Sequence, residues 1–283
     1  MMKTILITGC SSGIGLTLAE GLATRGWRVF ATARRTEDAS RLANAGLGGL
    51  VLDLHDSASI RSAVAEVFEH TGGTLDALCN NAAYGQPGAV EDLSREVLRE
   101  QFETNFFGTH ELTTLVLPVM RRQRRGRIVY ISSLLGYVAL PYRGAYNASK
   151  HALEGLVDTL RLELWDTGIH VSLIEPGPVR SRFRVNAHAA FQRNIDATRS
   201  VHAAQYLALE RRFTASDAVS FFTLGPEAVR VKVVHALESS RPQSRYPVTF
   251  PAHLFAALHR LLPTPALDWI LRKVGDSELK NND

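Results

Sequence analysis

An apolar run, Lys3-Thr4-Ile5-Leu6-Ile7-Thr8, ends at Gly9-Cys10-Ser11-Ser12-Gly13-Ile14-Gly15, and a helical period follows with Ile14, Leu18, Ala19 and Leu22 on one face. A short apolar run without polar alternation predicts a parallel strand buried on both sides. Glycines after it permit a tight turn and close approach of the backbone, and the helix start offers free N–H groups and positive dipole to a phosphate. The unit therefore predicts a dinucleotide whose pyrophosphate rests on Gly9, Ser11, Ser12, Gly13, Ile14 and Gly15.

The same alternation continues. Strands are predicted at 28–33, 49–53, 75–79, 127–131 and 169–174. Amphipathic helices fall between them, among them 57–70 with Ile60, Val64, Val67 and Phe68 inward and Asp56 or Ser57 as cap. Helical stretches at 94–104 and up to about 120 flank Asn105. Strands alternating with helices imply a parallel sheet covered on both faces, with ligands at the carboxyl ends of the strands.

The second strand ends at Ala33, where an acidic residue would bind an adenosine ribose, and Arg34-Arg35 follow. A carboxylate would repel a 2′-phosphate, whereas a guanidinium binds it with charge-assisted hydrogen bonds, so the pair predicts NADP(H) over NAD. Asp53 and Leu54 close the third strand, with Asp53 placed to accept from an adenine amine. Asn80-Asn81-Ala82-Ala83 closes the fourth; small residues such as Ala82 let the backbone approach a cofactor, an asparagine can pin the strand end, and Asn81 and Ala82 are expected to border the cofactor.

Ser133 ends the strand at 127–131, Tyr146 comes thirteen residues later and Lys150 four beyond that. On a helix over 146–165, Tyr146 and Lys150 share one face. An ammonium beside a phenol favours the phenolate and predicts a tyrosine lowered toward neutrality, fit to give or take a proton. Ser133 would bond the same substrate oxygen. That is acid–base equipment for a carbonyl/alcohol couple.

Composition narrows the rest. A chain of 283 residues, 45% hydrophobic and 21% charged, holds a full core and fits one large α/β domain. The formal charge of +4 is mild, and the one tight basic run, Arg121-Arg122-Gln123-Arg124-Arg125, reads as a solvated helix end, so no nucleic-acid partner is expected. Cys10 and Cys79 lack metal or disulfide spacing, and no metal is expected. The first strand starts almost at Met1 and no run reaches membrane-span length, so a cytoplasmic protein without a signal peptide is expected.

Thr8-Gly9-x-x-x-Gly13-x-Gly15, Asn80-Asn81-Ala82, Asn105, Ser133, Tyr146-x-x-x-Lys150 and Pro176-Gly177 together resemble the short-chain dehydrogenase/reductases, in that family's order and spacing. The resemblance implies a single Rossmann-type doubly wound domain over 1–283, with a seven-stranded parallel sheet and helices on both faces. It further implies Tyr146 as general acid/base, Ser133 orienting the carbonyl and Lys150 bonding the nicotinamide ribose. Asn105 would hold a water of the proton relay, and Pro176, Gly177 and Val179 would border the cofactor. Ala83 stands where the family usually has glycine. Homodimers or homotetramers through the helices at 105–120 and 146–165 are implied as well. Leu173–Arg180, Phe222–Val229 and Arg245–Thr249 look like a bacterial subgroup of NADP-dependent aldehyde reductases related to retinol and 17β-hydroxysteroid dehydrogenases.

The resemblance places a substrate lid at 180–215. Phe183, Phe191, Tyr206 and Leu209 there, with Leu135 and Tyr142 near the serine, point to a small apolar carbonyl or alcohol, though they serve equally as packing of lid helices. Substrate contacts are expected from Ser133, Leu135, Tyr142 and Phe183. Apolar helices at 250–275, split by Pro263-Thr264-Pro265, suit packing on the domain or a partner subunit, closure of the cavity, or peripheral contact with a membrane. The leading reading is an NADP(H)-dependent reductase of apolar aldehydes or ketones. A hydroxysteroid or retinol dehydrogenase is the alternative, and a non-catalytic NADP sensor a more distant one.

Overall fold

The computed structural model describes residues 2–214 and 222–280; Ala215, the last residue of the expected lid, lies outside them. Seven strands form one parallel sheet in the order β3-β2-β1-β4-β5-β6-β7. They are β1 (Thr4–Ile7), β2 (Arg28–Ala33), β3 (Leu50–Val51), β4 (Ala77–Asn80), β5 (Gly126–Ile131), β6 (Ile169–Glu175) and β7 (Arg245–Pro247). Chain order reverses between β1 and β4, where Ile7 pairs with Ala31 on one side and Cys79 on the other. A crevice opens at such a switch point.

The helices are α1 (Gly13–Ala23), α2 (Thr36–Asn44), α3 (Ser57–Thr71), α4 (Arg95–Phe102), α5 (Gly108–Gln123) and α6 (Gly144–Glu163), followed by α7 (Phe183–Asn194), α8 (Ala203–Thr214), α9 (Pro226–Glu238), α10 (Phe250–Leu261) and α11 (Thr264–Lys280). Alternate residues of β1 feed two cores: Ile5 and Ile7 pack with α1 and α9, and Leu6 packs with α3, α5 and α6. This two-sided burial is why the strands read as unbroken apolar runs. Asp56 caps α3 as expected, its carboxylate accepting from the Ala58 N–H at 2.9 Å. Arg124, at φ 53°, ends α5 just before β5, so the basic run is a helix end.

The structure departs from the sequence reading at four places. β3 is two residues rather than five, because Asp53 and Leu54 turn toward α3, with the Ser59 hydroxyl accepting from the Asp53 N–H. The helix expected to stop near 104 continues through a wide π-turn, Glu103–Phe107, into α5. Gly108 lets that run lie on the Leu54 carbonyl, which a Cβ would meet at 1.9 Å. β7 and α9 carry too few local signals to be read in advance; β7 is three residues long and is fixed by pairing with β6.

The helices of the 250–275 segment pack on the loop that carries Ser133. Ala252, Phe255, Leu267 and Leu271 join Leu134, Leu135 and Val138 in one cluster, and the Tyr137 hydroxyl donates to the Ala252 carbonyl at 2.7 Å. Among the described residues, no helix is long and apolar enough to cross a membrane.

Candidate active site

The carboxyl ends of β1, β4, β5 and β6 open on a cavity of about 690 Å³. Its floor is the glycine turn. Gly9, at φ +71°, would drive a Cβ to 2.9 Å from the Ala82 Cα, and a Cβ on Gly15 would stand 2.3 Å from the Gly9 carbonyl. Thr8 ties turn to strand end: its Oγ1 accepts from the N–H groups of Asn81 and Ala82, both at 2.9 Å. The Asn81 amide donates to the carbonyls of Thr8 and Gly9. The asparagine thus shapes the cradle. Ser12 caps α1 without a side-chain bond and no acidic residue sits in its first turn, so the positive helix end faces the cavity uncompensated. That cradle fits a pyrophosphate.

Ser133, Tyr146 and Lys150 meet on one wall. The Ser133 hydroxyl accepts from the Leu135 N–H at 3.1 Å, which fixes the short turn after β5. Lys150 donates to the Ile131 carbonyl at 2.8 Å, and its nitrogen stands 5.7 Å from the centre of the Tyr146 ring. Phe183 packs its edge on that ring at 5.2 Å. Burial pushes the Tyr146 phenol up to about 12, and the hydrogen bond with Ser133 only partly offsets it. Burial also pushes Lys150 down to about 8, against the attraction of Glu154. The expectation of a phenol lowered toward neutrality is therefore corrected: desolvation outweighs the ammonium, whose hydrogen bond goes to a backbone carbonyl.

Seventeen of the expected site residues line this cavity: Gly9, Ser11, Ser12, Gly13, Ile14, Gly15, Asn81, Ala82, Ser133, Leu135, Tyr142, Tyr146, Lys150, Pro176, Gly177, Val179 and Phe183. Five stand outside it. Arg34 and Arg35 are exposed where β2 ends. The Asp53 carboxylate accepts from the His55 N–H at 3.0 Å, and Leu54 is buried under Gly108. Asn105 lies behind the wall: its amide donates to the Tyr84 carbonyl at 2.9 Å and to the Ser149 hydroxyl at 3.2 Å, while its oxygen accepts from the Tyr84 N–H at 3.1 Å. It fastens the loop after β4 to α6.

Several contributors escaped the sequence reading. Arg41 on α2 donates to the Ser11 carbonyl at 2.8 Å, yet its position on an amphipathic helix looks like any surface arginine. Arg245 on β7 donates to Glu154, to Glu175 at 2.6 Å and to Asp158 at 2.6 Å, behind Lys150. Burial raises the Glu175 carboxyl from 4.5 to about 7, helped by the neighbouring Glu154 charge and opposed by Arg245. The folded chain then holds this proton in a window where the unfolded chain has lost it, so Glu175 lowers stability as pH rises from about 4.5 to 7. Thermal midpoints taken across that window are expected to fall more steeply in wild type than in Glu175→Gln. Parallel profiles would reject the assignment.

A doubly wound parallel sheet whose switch-point crevice carries Ser, Tyr and Lys on one wall is the architecture of a dehydrogenase. The family model described as short chain dehydrogenase matches residues 3–191, and the chain belongs to this family of oxidoreductases. It is 43% identical over 272 residues to an uncharacterised oxidoreductase, YbbO, of Escherichia coli strain K12, covering 96% of this chain and 95% of that one. It is 35% identical over 254 residues to retinol dehydrogenase 8 of Homo sapiens, covering 86% and 80% respectively. A short chain dehydrogenase/reductase of Burkholderia phymatum, solved in complex with NAD, superposes with a TM-score of 0.74 at 26% identity, covering 92% of each chain.

Proposed function

We propose that this protein is an NADP(H)-dependent reductase of apolar aldehydes or ketones. The observation that carries the reading is that Ser133, Tyr146 and Lys150 line one cavity beside the glycine turn, with the Lys150 nitrogen 5.7 Å from the centre of the Tyr146 ring; burial of the phenol favours its protonated form. Ser133 and Tyr146 together donate to the carbonyl oxygen, and Tyr146 gives up its proton as negative charge develops there. The glycine turn would hold the pyrophosphate of a nicotinamide dinucleotide, which when bound would supply the hydride. Lys150, held by Ile131, offers its remaining N–H groups to the nicotinamide ribose and balances the phenolate that is left. Asn105 keeps the Tyr84 loop and Ser149 in register, and holds a relay water in this reading. Helices α7 and α8 form the lid, and Leu134, Leu135, Leu140, Phe183, Leu209 and Phe213 give the pocket its apolar lining.

The choice of NADP(H) rests on Arg34 and Arg35 beyond β2, with no carboxylate at Ala33. Asp53 accepts the His55 N–H at one carboxylate oxygen, and in this reading its other oxygen accepts from the adenine amine. Wild type is expected to prefer NADPH over NADH by at least tenfold in kcat/KM, and Arg34→Ser/Arg35→Ser to erase most of that preference through the NADPH value. An equal preference in wild type would overturn the assignment. The activity is tested by following NADPH oxidation with aliphatic aldehydes, retinal and ketosteroids in parallel. The likeness to retinol dehydrogenase 8 favours retinal as the second reading. Turnover confined to retinal or ketosteroids would replace the first reading with it.

Pairing through α5 and α6 is part of this reading. Leu162 and Trp165, at the end of α6, are 67% and 86% exposed and are available to such an interface.

A further inference from the structure

At one end of the cavity three charged side chains converge from separate elements, with the Arg184 guanidinium of α7 near enough to feel the charge of each. Arg143 precedes α6 directly, Arg212 belongs to the last turn of α8, and Glu278 to the last turns of α11; all three line the cavity. Both guanidiniums donate to one oxygen, Glu278 Oε2, each at 2.5 Å. The three are mostly covered, with side chains 22–26% exposed. Burial disfavours the Glu278 charge, yet Arg143 and Arg212 outweigh it and hold the carboxyl below its ordinary range. Two cations therefore share a single carboxylate.

Each guanidinium has five N–H donors and spends one on Glu278. Arg143 and Arg212 form no other ion pair among the described residues. Where apolar walls reduce screening, such an excess of positive charge favours an anion strongly. A fork of N–H groups also matches a carboxylate in two-point contact. Arg143, Arg212, Ser133 and Tyr146 line the same cavity, so an anion held at the guanidiniums shares one pocket with the reacting carbonyl.

We infer that Arg143 and Arg212, gathered by Glu278, form an anion-binding wall, and that the preferred substrate is an apolar carbonyl compound ending in a carboxylate. The word substrate rests on the reductase reading above; the anion wall does not. Glu278 on this account tempers the site and ties α11 to the lid, so its neutralisation strengthens anion binding. A purely structural clasp predicts the opposite sign, since its loss would loosen the wall.

The test is calorimetric titration of the full-length protein, saturated with NADP⁺, with octanoate and with octanol. Wild type is expected to bind octanoate at least tenfold more tightly than octanol, with the difference shrinking between 20 and 500 mM salt. Glu278→Gln should widen the octanoate-to-octanol ratio at least threefold, and Arg212→Met should narrow it tenfold or more. Thermal melts of both variants verify folding, and Arg212→Met decides the matter if Glu278→Gln is unstable. Equal binding of the two probes by wild type, or a ratio that Arg212→Met leaves in place, overturns the inference. NADPH oxidation with octanal and with 8-oxooctanoate is read separately. Failure of both aldehydes counts against the reductase reading, while octanoate binding still judges the wall.

Discussion

Exchange of Tyr146 for phenylalanine is expected to lower kcat for carbonyl reduction by about 10³–10⁴-fold, the upper part of the range for a positioned general acid. The substitution removes one hydroxyl and keeps the ring that packs against Phe183. Loss of one buried hydroxyl costs on the order of 1 kcal/mol, so the variant should fold and its thermal midpoint should move by only a few degrees. The glycine turn and Lys150 are untouched, and NADPH binding followed by fluorescence should stay within a few-fold of wild type. Ser133→Ala should have a smaller effect, about 10²-fold, because it removes one donor to the oxygen and leaves the proton source. Turnover of Tyr146→Phe within tenfold of wild type would place the acid elsewhere.

Replacement of Arg245 by methionine is expected to cause the largest loss of stability, on the order of 3–5 kcal/mol. The guanidinium is the shared partner of Glu154, Glu175 and Asp158. Burial works against its charge, but Glu154 and Glu175 prevail and hold it above its ordinary range. Without it, Glu154 and Glu175 remain as buried neighbours with no cation between them. Glu154 keeps the attraction of Lys150, one helical turn away. A fall in the thermal midpoint on the order of 10 °C follows for a chain of this size. The loss should be smaller below about pH 7, where Glu175 is protonated and one repulsive charge is gone. A midpoint within 2 °C of wild type at pH 8 would show that the cluster does not hold β7 to the sheet.

Much of this molecule was legible because its signals are local. An unbroken apolar run is what a strand buried between two helical layers requires, and β1, β2, β5 and β6 were bounded to within about a residue on that basis. Glycines at 9, 13 and 15 declare a special backbone, and the structure shows backbone clashes for a Cβ at Gly9 and Gly15 and a φ of +58° at Gly13. The spacing of Tyr146 and Lys150 is a property of one helix, so their shared face followed from the period alone.

What the sequence determined by itself was therefore the layered parallel sheet, the glycine cradle and the wall of Ser133, Tyr146 and Lys150. Tertiary structure decided the rest, because those features depend on distance between segments. Residues 102 positions apart, Arg143 and Arg245, become charge partners of different clusters only when β7 pairs with β6 and α11 crosses the lid. Glu278 reaches the cavity from the far end of the chain with no motif to announce it. The proton affinities of Tyr146 and Lys150 belong here too: adjacency favoured a lowered phenol, but burial, which no spacing encodes, set its direction.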